Sequence, residues 1–458
     1  MAIRTFLRLA GVMALLLVAA AGCARKAGSL QPWPLDNDPI VFTDNFTGRV
    51  DFQAFGNSKL DALGTDTFEQ YDGTSCLKIT VPGPGSYAGG AFVAKNGLKN
   101  TERDLSGYDA LTFFAKASKA VTVSEVGFGN DNTGRSRYGV TTRSLAVTTT
   151  WKKYTIPIPD PSRLTNEGGL FYFSAAPQAG AGYTLWFDDV KFERLGTITN
   201  PRPVMTEQTL NWFIGSTLGV KGTRTTFFVD GADRVVEHSA SYFGYASTNP
   251  AVATAADGVI SIHTAGTANI SAALGSMPVT GAVTLTAVPF TPGMAPTPTV
   301  SAGSTISLFS DAYSNAAVDT WSATWDNADV TEFSVFGNNL KQYTNLSFAG
   351  IEFISQQVDA TTMTHLHMDV LVPAGNFFKI KLVDFGANAR FSGGDDSAHE
   401  LIFNAISIPP VVNGAWIEFD IPFTTFAGLA NRAHLAQLIL SGDLSTRTVY
   451  VDNIYLHR

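Results

Sequence analysis

The chain is poor in cysteine, in charge and in long hydrophobic runs, and each scarcity excludes a class of protein. Two cysteines in 458 residues, Cys23 and Cys76, cannot build a disulfide framework or a cysteine-based zinc site. Charged residues make up only 15% and the formal net charge is −8, so there is no basic footprint for nucleic acid or for a polybasic grip on anionic lipid. The longest apolar run, from Leu9 to Ala21, is too short for a stable membrane span. No long stretch shows amphipathic helical periodicity with capping signals. No Gly-x-Ser-x-Gly elbow or phosphate-cradling glycine loop occurs either. His399-Glu400-Leu-Ile-Phe403 begins like a zinc-protease helix but places Phe403 where the second histidine ligand must stand.

Glycine (42), phenylalanine (32) and short threonine- and valine-rich runs are plentiful. Runs such as Ala110-Leu-Thr-Phe-Phe-Ala-Lys116, Lys153-Tyr-Thr-Ile-Pro-Ile158 and Thr184-Leu-Trp-Phe-Asp188 are bounded by Gly, Asn, Asp or Pro. They read as strands between turns and predict an all-β chain. Breaks fall at 24–40, at Gly196–Pro203 and at Phe290–Thr299, where prolines favour extended chain.

The first and last segments repeat each other in order. Phe42-Thr-Asp-Asn-Phe46 answers Phe309-Ser-Asp-Ala-Tyr313, and Tyr87-Ala-Gly-Gly-Ala-Phe92 answers Phe348-Ala-Gly-Ile-Glu-Phe353. Tyr108–Ala115 answers Met363–Val370, Trp151–Ile158 answers Trp416–Phe423, and Leu185–Phe192 answers Val449–Leu456. Five matches in register argue for two copies of one domain around a different middle module. Three β-sandwich domains are expected, at 41–195, 204–289 and 305–458, with a proline-rich linker at 290–304.

The leader resembles that of bacterial lipoproteins. A basic start, a short apolar run and Ala20-Ala21-Gly22-Cys23 form a lipobox-like signal over residues 1–22. The resemblance implies acylated Cys23, a lipidated tether over 23–40, and an outer-membrane or cell-surface location. Cys76 is expected to be a small buried residue.

The aromatic-acidic first strand, the Trp-x-x-aromatic-x-Ile-Pro strand and the closing aromatic-x-Asp-Asp/Asn strand resemble jelly-roll, galactose-binding-like carbohydrate-binding modules. The last copy resembles accessory domains of family 16 glycoside hydrolases such as laminarinases. Ala246–Ala253, Gly258–Ile262 and Thr264–Ile270 resemble a bacterial immunoglobulin-like group 2 domain, a usual spacer. The implied function is non-catalytic capture of polysaccharide, a β-glucan such as laminarin, for neighbouring glycoside hydrolases and an outer-membrane transporter. The alternatives are an adhesion or scaffold protein binding protein partners and, behind it, a carbohydrate-active enzyme.

Sugar rings offer an apolar face for aromatic stacking and hydroxyls for amides and carboxylates. In the last copy Trp321, Trp325, Tyr343, Asn345, Arg390, Phe391, Asp395 and Asp396 fall in polar, loop-like segments and are the candidate ligand contacts. Tyr87, Asn130, Arg135, Arg137 and Tyr138 are their counterparts in the first. Trp151, Trp186 and Trp416 sit within strand-like runs and are expected to pack inside. The module resemblance also implies a structural calcium, with Asp44 and Asp188 (or Asp189) as ligands in the first copy and Asp311 and Asp452 in the last. Otherwise these aspartates cap strand ends. No catalytic cofactor is expected.

Overall fold

A computed structural model describes residues 36–458 apart from 47–48, 57, 97–98, 135 and 393. Cys23 and the leader lie outside the described residues, as does Arg135. The chain is all-β: the described residues form strands joined by turns and single 3-10 turns. Among them no helix is long and apolar enough to cross a membrane. They divide into two compact units, 36–198 with 229–236, and 199–228 with 237–458.

In the first unit two sheets face each other. One orders its strands Lys152–Pro157, Ala110–Ala117, Tyr183–Glu193, Cys76–Val81 and Leu63–Asp66, with Ile40–Phe42 paired to Tyr183–Glu193. The other includes, in order, Val140–Val147, Val121–Phe128, Gly169–Ala175, Ala88–Asn96 and Val50–Ala54. Phe92, Phe113, Phe171, Phe173 and Phe187 are fully buried and pack against one another in tilted and edge-on pairs between the sheets. Each such ring contributes about 2 kcal/mol of burial.

The second unit ends in a sandwich with the same strand order. Trp416–Pro422, His365–Leu371, Val449–His457 and the first part of Asn338–Glu352 lie side by side, followed by Asn327–Val335. Thr305–Phe309 pairs with Val449–His457 as Ile40–Phe42 does with its partner. Ser397–Asn404, Phe377–Asp384, Leu435–Gly442 and the second part of Asn338–Glu352 form the opposing layer. One long strand thus does the work of two in the first copy. It turns the corner at Asn345, whose φ of 50° is left-handed and whose amide donates to Asp329 at 2.7 Å. Asn345 is therefore a corner residue whose amide is already engaged.

The repeat read from sequence holds at single-residue register. Asp188 faces Phe114 and Asp452 faces Asp369, each beside a bulge. The next residues, Asp189 and Asn453, have φ of 48° and 50°. Asp and Asn tolerate that conformation better than most residues, which explains the Asp-Asp and Asp-Asn pairs at the matching ends.

Between these copies a smaller module packs Val252, Ile260, Ile262, Ile270, Val283 and Leu285 as its own core. Its strand Gln208–Phe213 runs parallel to Val283–Val288. Within the second unit Phe213, Phe290, Phe333 and Tyr450 cluster, with Trp212 and Trp416 against them. Trp416, expected inside its own sandwich, instead donates from Nε1 to the Gly293 carbonyl at 2.9 Å. Asn453 and Tyr313 hold the Pro296 and Val300 carbonyls. The proline-rich segment is latched along its length.

Candidate saccharide-binding faces

Alternation decides which side chains leave the core. In Leu435–Gly442 the residues Leu438 and Leu440 point inward, so Gln437, Ile439 and Ser441 face out. In Phe377–Asp384 the inward residues are Phe378, Ile380 and Leu382, which turns Lys379, Lys381 and Val383 outward. The outward face forms a trough in two stretches of about 500 Å³ and 440 Å³ that share Trp325, Lys381 and Ile439.

Trp325 walls one side. Its indole stacks on Phe348 with centroids 6.2 Å apart and lies over Gly350, where a β-carbon would come within 2.4 Å of the ring. Glu352 accepts from Trp325 Nε1 at 3.0 Å and from Gln437 Nε2 at 2.9 Å. Phe391, 67% exposed, stands on the 385–396 loop against Phe385, with centroids 5.6 Å apart. Asp396 lines the same stretch and accepts from Ser392 N at 2.7 Å. On the far side Lys379 pairs with Glu400 at 2.8 Å. Apolar walls beside hydrogen-bonding groups suit a ligand with both faces, as a pyranose has.

Of the eight residues expected to touch ligand here, the trough gathers Trp325, Phe391 and Asp396. Tyr343 is a correction: it is wholly buried, and its hydroxyl donates to the Trp321 carbonyl at 3.0 Å. Trp321 is another. Its ring packs against the core, edge-on to Phe309 and 4.0 Å from the buried Lys341 ammonium. The polar stretch 319–326 looked loop-like, yet it folds along the edge of the sheet through the Thr320 to Glu352 bridge and the Ala323 to Gly350 hydrogen bond. Asp395 spends its carboxylate on Asn388 N and Nδ2, and Arg390 is exposed on the same loop. Glu352, Lys381, Gln437 and Ile439 escaped the sequence reading. The apolar run Leu438-Ile-Leu440 was the available signal, because a strand apolar on both faces has something to do on each.

The equivalent face of the first unit is built alike. The rings of Tyr87 and Phe55 close over Gly89, which is one residue type and one register position with Gly350. Tyr87 donates from its hydroxyl to the Gly56 carbonyl at 2.9 Å. Ala91, Val93 and Tyr172 continue this face beside Phe55. At its end lies a polar groove of about 930 Å³ lined by Val93, Glu102, Asp131, Arg137, Tyr138 and Glu167 among others. The Arg137 guanidinium lies 5.3 Å from the Tyr138 ring. Asn130 accepts from Asn132 N at 2.9 Å through its side-chain oxygen and so caps a local turn. Burial pushes the Glu167 carboxyl up to about 7, and Asp131 and Glu102 add to the rise.

The opposite sheet of the first unit carries Trp186 on Tyr183–Glu193, with Trp151 just ahead of its edge strand Lys152–Pro157. Trp186 is nearly buried and donates to Asp66 at 3.1 Å, while Trp151 is half-buried and meets Tyr71 edge-on. Leu185 and Phe187 face the core, so Trp186 is covered on the outer side of its strand, beside Lys78 and under the Lys116 ammonium 5.2 Å away, rather than inside as expected; Trp151 keeps an exposed edge.

The aspartates of the implied calcium sites all hold hydrogen-bond donors. Asp44 accepts from Ser75 N at 3.1 Å and from Thr74, and Asp188 from Tyr71 N at 2.8 Å, so together they clamp the 71–75 turn. In the last copy Asp311 accepts from Asn339 N and Nδ2, and Asp452 from Asn338 Nδ2 and Asn453 N. Asp452 is buried and pushed up to about 6 by desolvation, with Asp369 and Asp311 adding to the rise. Asp369 leaves Oδ1 buried without a partner. Among the described residues no three carboxylate, imidazole or thiol groups already converge as a metal site. In the last copy Asp369 and Asp311 lie near enough to Asp452 to concentrate negative charge there, the one feature of the site that a calcium ion would relieve. The first has both its carboxylates committed to backbone.

Aromatic-walled faces on two-sheet sandwiches are the build of a binding module. Residues 38–194, about a third of the chain, match the sequence model of the family described as carbohydrate binding domain 30. No curated protein matches the chain. Among solved structures, the family 30 carbohydrate-binding module of the cellulosomal cellulase Cel9D-Cel44B of Clostridium thermocellum is 21% identical over 35% of this chain and 96% of that one, with a TM-score of 0.23. The tandem CBM22-1-CBM22-2 domain of Xyn10C from Paenibacillus barcinonensis is 10% identical over 93% of this chain and 99% of that one, with a TM-score of 0.21. A β-1,2-glucanase from Parabacteroides distasonis is 12% identical over 57% of this chain and 40% of that one, with a TM-score of 0.24.

Proposed function

We propose that this protein is a surface lipoprotein that captures polysaccharide without cleaving it, using the outward sheet faces of its two like sandwiches. The observation that carries this reading is the trough beside Trp325, where an aromatic wall over Gly350 meets Glu352, Gln437 and Lys381. The carbohydrate binding domain 30 match over 38–194 supports the same role for the first sandwich. The ligand is a β-glucan such as laminarin, presented to neighbouring hydrolases and an outer-membrane transporter. Cys23 carries the lipid, and Asp311 and Asp452 are the residues of the last sandwich that would hold a structural calcium. Two linked sites raise avidity when both reach one chain.

One observation favours an enzyme instead: Glu167 has the raised pKa of a general acid and lines a groove with Asp131 and Glu102. Its side chain is 5% exposed, however, and Oε1 accepts from Gly169 N at 2.8 Å. That geometry is of a carboxyl closing a turn. Electrophoresis through gels cast with laminarin, mixed-linkage glucan, xylan or alginate tests the proposal. Retardation by a glucan supports capture; free migration through all four moves adhesion to the front, and sugar released from the gel would point to Glu167.

A further inference from the structure

From the shape of the trough in the last sandwich we infer that it takes the end of a glycan chain rather than its middle, an inference that rests on the saccharide-binding reading above. The trough runs along Leu435–Gly442, and from Gln437 to Gly442 it spans about 17 Å at the usual strand rise, room for roughly three pyranose rings.

Its two ends differ. At the Gln437 end the 385–396 loop, which leaves the strand on one side, is tied to the segment that follows Asn338–Glu352 on the other. Gln357 Nε2 donates to the Ala389 carbonyl at 2.9 Å, and Gln357 Oε1 meets His434 Nδ1 at 3.2 Å. His434 N donates in turn to Asp384 at 2.8 Å. This bonded wall crosses the head of the central strand. Phe391 and Ile354 rise on it, 67% and 40% exposed, and Val383, Phe385 and Ala436 are buried behind. At the Gly442 end the lining is Phe377, Ser441 and Gly442, all on strands, and the 443–447 loop returns on the core side, where Thr446 is fully buried over the inward-facing Gly442 and donates to the Phe377 carbonyl at 3.0 Å.

A chain lying in this trough is therefore stopped at the Phe391 end and free to leave at the other. The last ring meets Trp325 and Phe391 from two sides, with Glu352, Gln437 and Asp396 within the same stretch to receive its hydroxyls. Lys381, which makes no ion pair among the described residues, lies where the two stretches join. A loop of this kind excludes internal segments sterically, and it does so without a catalytic group.

The test titrates the intact protein and its Trp325→Ala variant with linear β-1,3-glucans of increasing length at equal mass, so that only the Trp325-dependent sites are counted. Chain-end binding predicts that these sites per gram fall in inverse proportion to chain length, and that Gln357→Ala with Phe391→Ala relaxes this dependence. Trp325-dependent sites per gram that stay constant with length would overturn the inference, because internal segments would then bind. Absence of any Trp325-dependent binding to these glucans would overturn the saccharide reading of the trough itself.

Discussion

The indole of Trp325 rests directly on Gly350, with space for no side chain between them. Residue 350 thus sets the position of the aromatic wall without touching a ligand. Gly350→Val is expected to push the ring outward and to lose glycan binding as fully as Trp325→Ala does. Far-ultraviolet circular dichroism of both variants should still match the parent, and intrinsic fluorescence should report a more solvated indole in Gly350→Val.

Trp321 should behave in the opposite way. It packs with Phe309 and the buried Lys341 ammonium, so its removal opens a gap in the sandwich. Trp321→Ala is expected to lower unfolding free energy by about 2 kcal/mol, less than for a fully buried ring, and to leave the affinity of folded protein unchanged. Chemical denaturation alongside a binding titration separates the two effects.

Glu167 predicts a pH dependence. Its carboxyl rises from 4.5 to about 7 in the folded chain, so the native state holds the proton more tightly than the unfolded one. The contribution of this group to stability is full below about pH 4.5 and is lost as pH climbs through about 7, on the order of 3 kcal/mol. Glu167→Gln keeps an oxygen for Gly169 N and removes the ionisation. The variant should exceed the parent in stability at pH 8 and match it near pH 4, read as denaturation midpoints across that range.

Calcium should act on the last sandwich. Asp452 is held near 6 by burial and by its acidic neighbours, and a bound cation must displace that proton. Added calcium is expected to raise the melting temperature at pH 8 more than at pH 5, and Asp369→Asn is expected to remove the rise. An unchanged melting temperature at both pH values would assign Asp311 and Asp452 to turn-capping alone.

The all-β class and the internal repeat were legible because strands and turns leave local marks. The Asp-Asp and Asp-Asn pairs marked the matching ends of the repeat, but the left-handed conformation of Asp189 and Asn453 came only from the structure. The site was legible only where it lies on a loop, as for Phe391 and Asp396. Trp321 and Tyr343 looked equally polar in setting, but the corner at Asn345 and the edge pairing of 319–326 bring them inside, and both depend on contacts distant in sequence. Glu352, Gln437 and Lys381 went unseen because alternation says that a residue points out without saying which of two outward faces is used.

Calorimetric titration of the soluble chain with laminarin, beside Trp325→Ala and Tyr87→Ala variants and with product analysis, tests the central claim most directly. The account predicts saturable binding that each variant weakens and the pair abolishes, with no sugar released. Binding to no glycan, or binding indifferent to both variants, would contradict it.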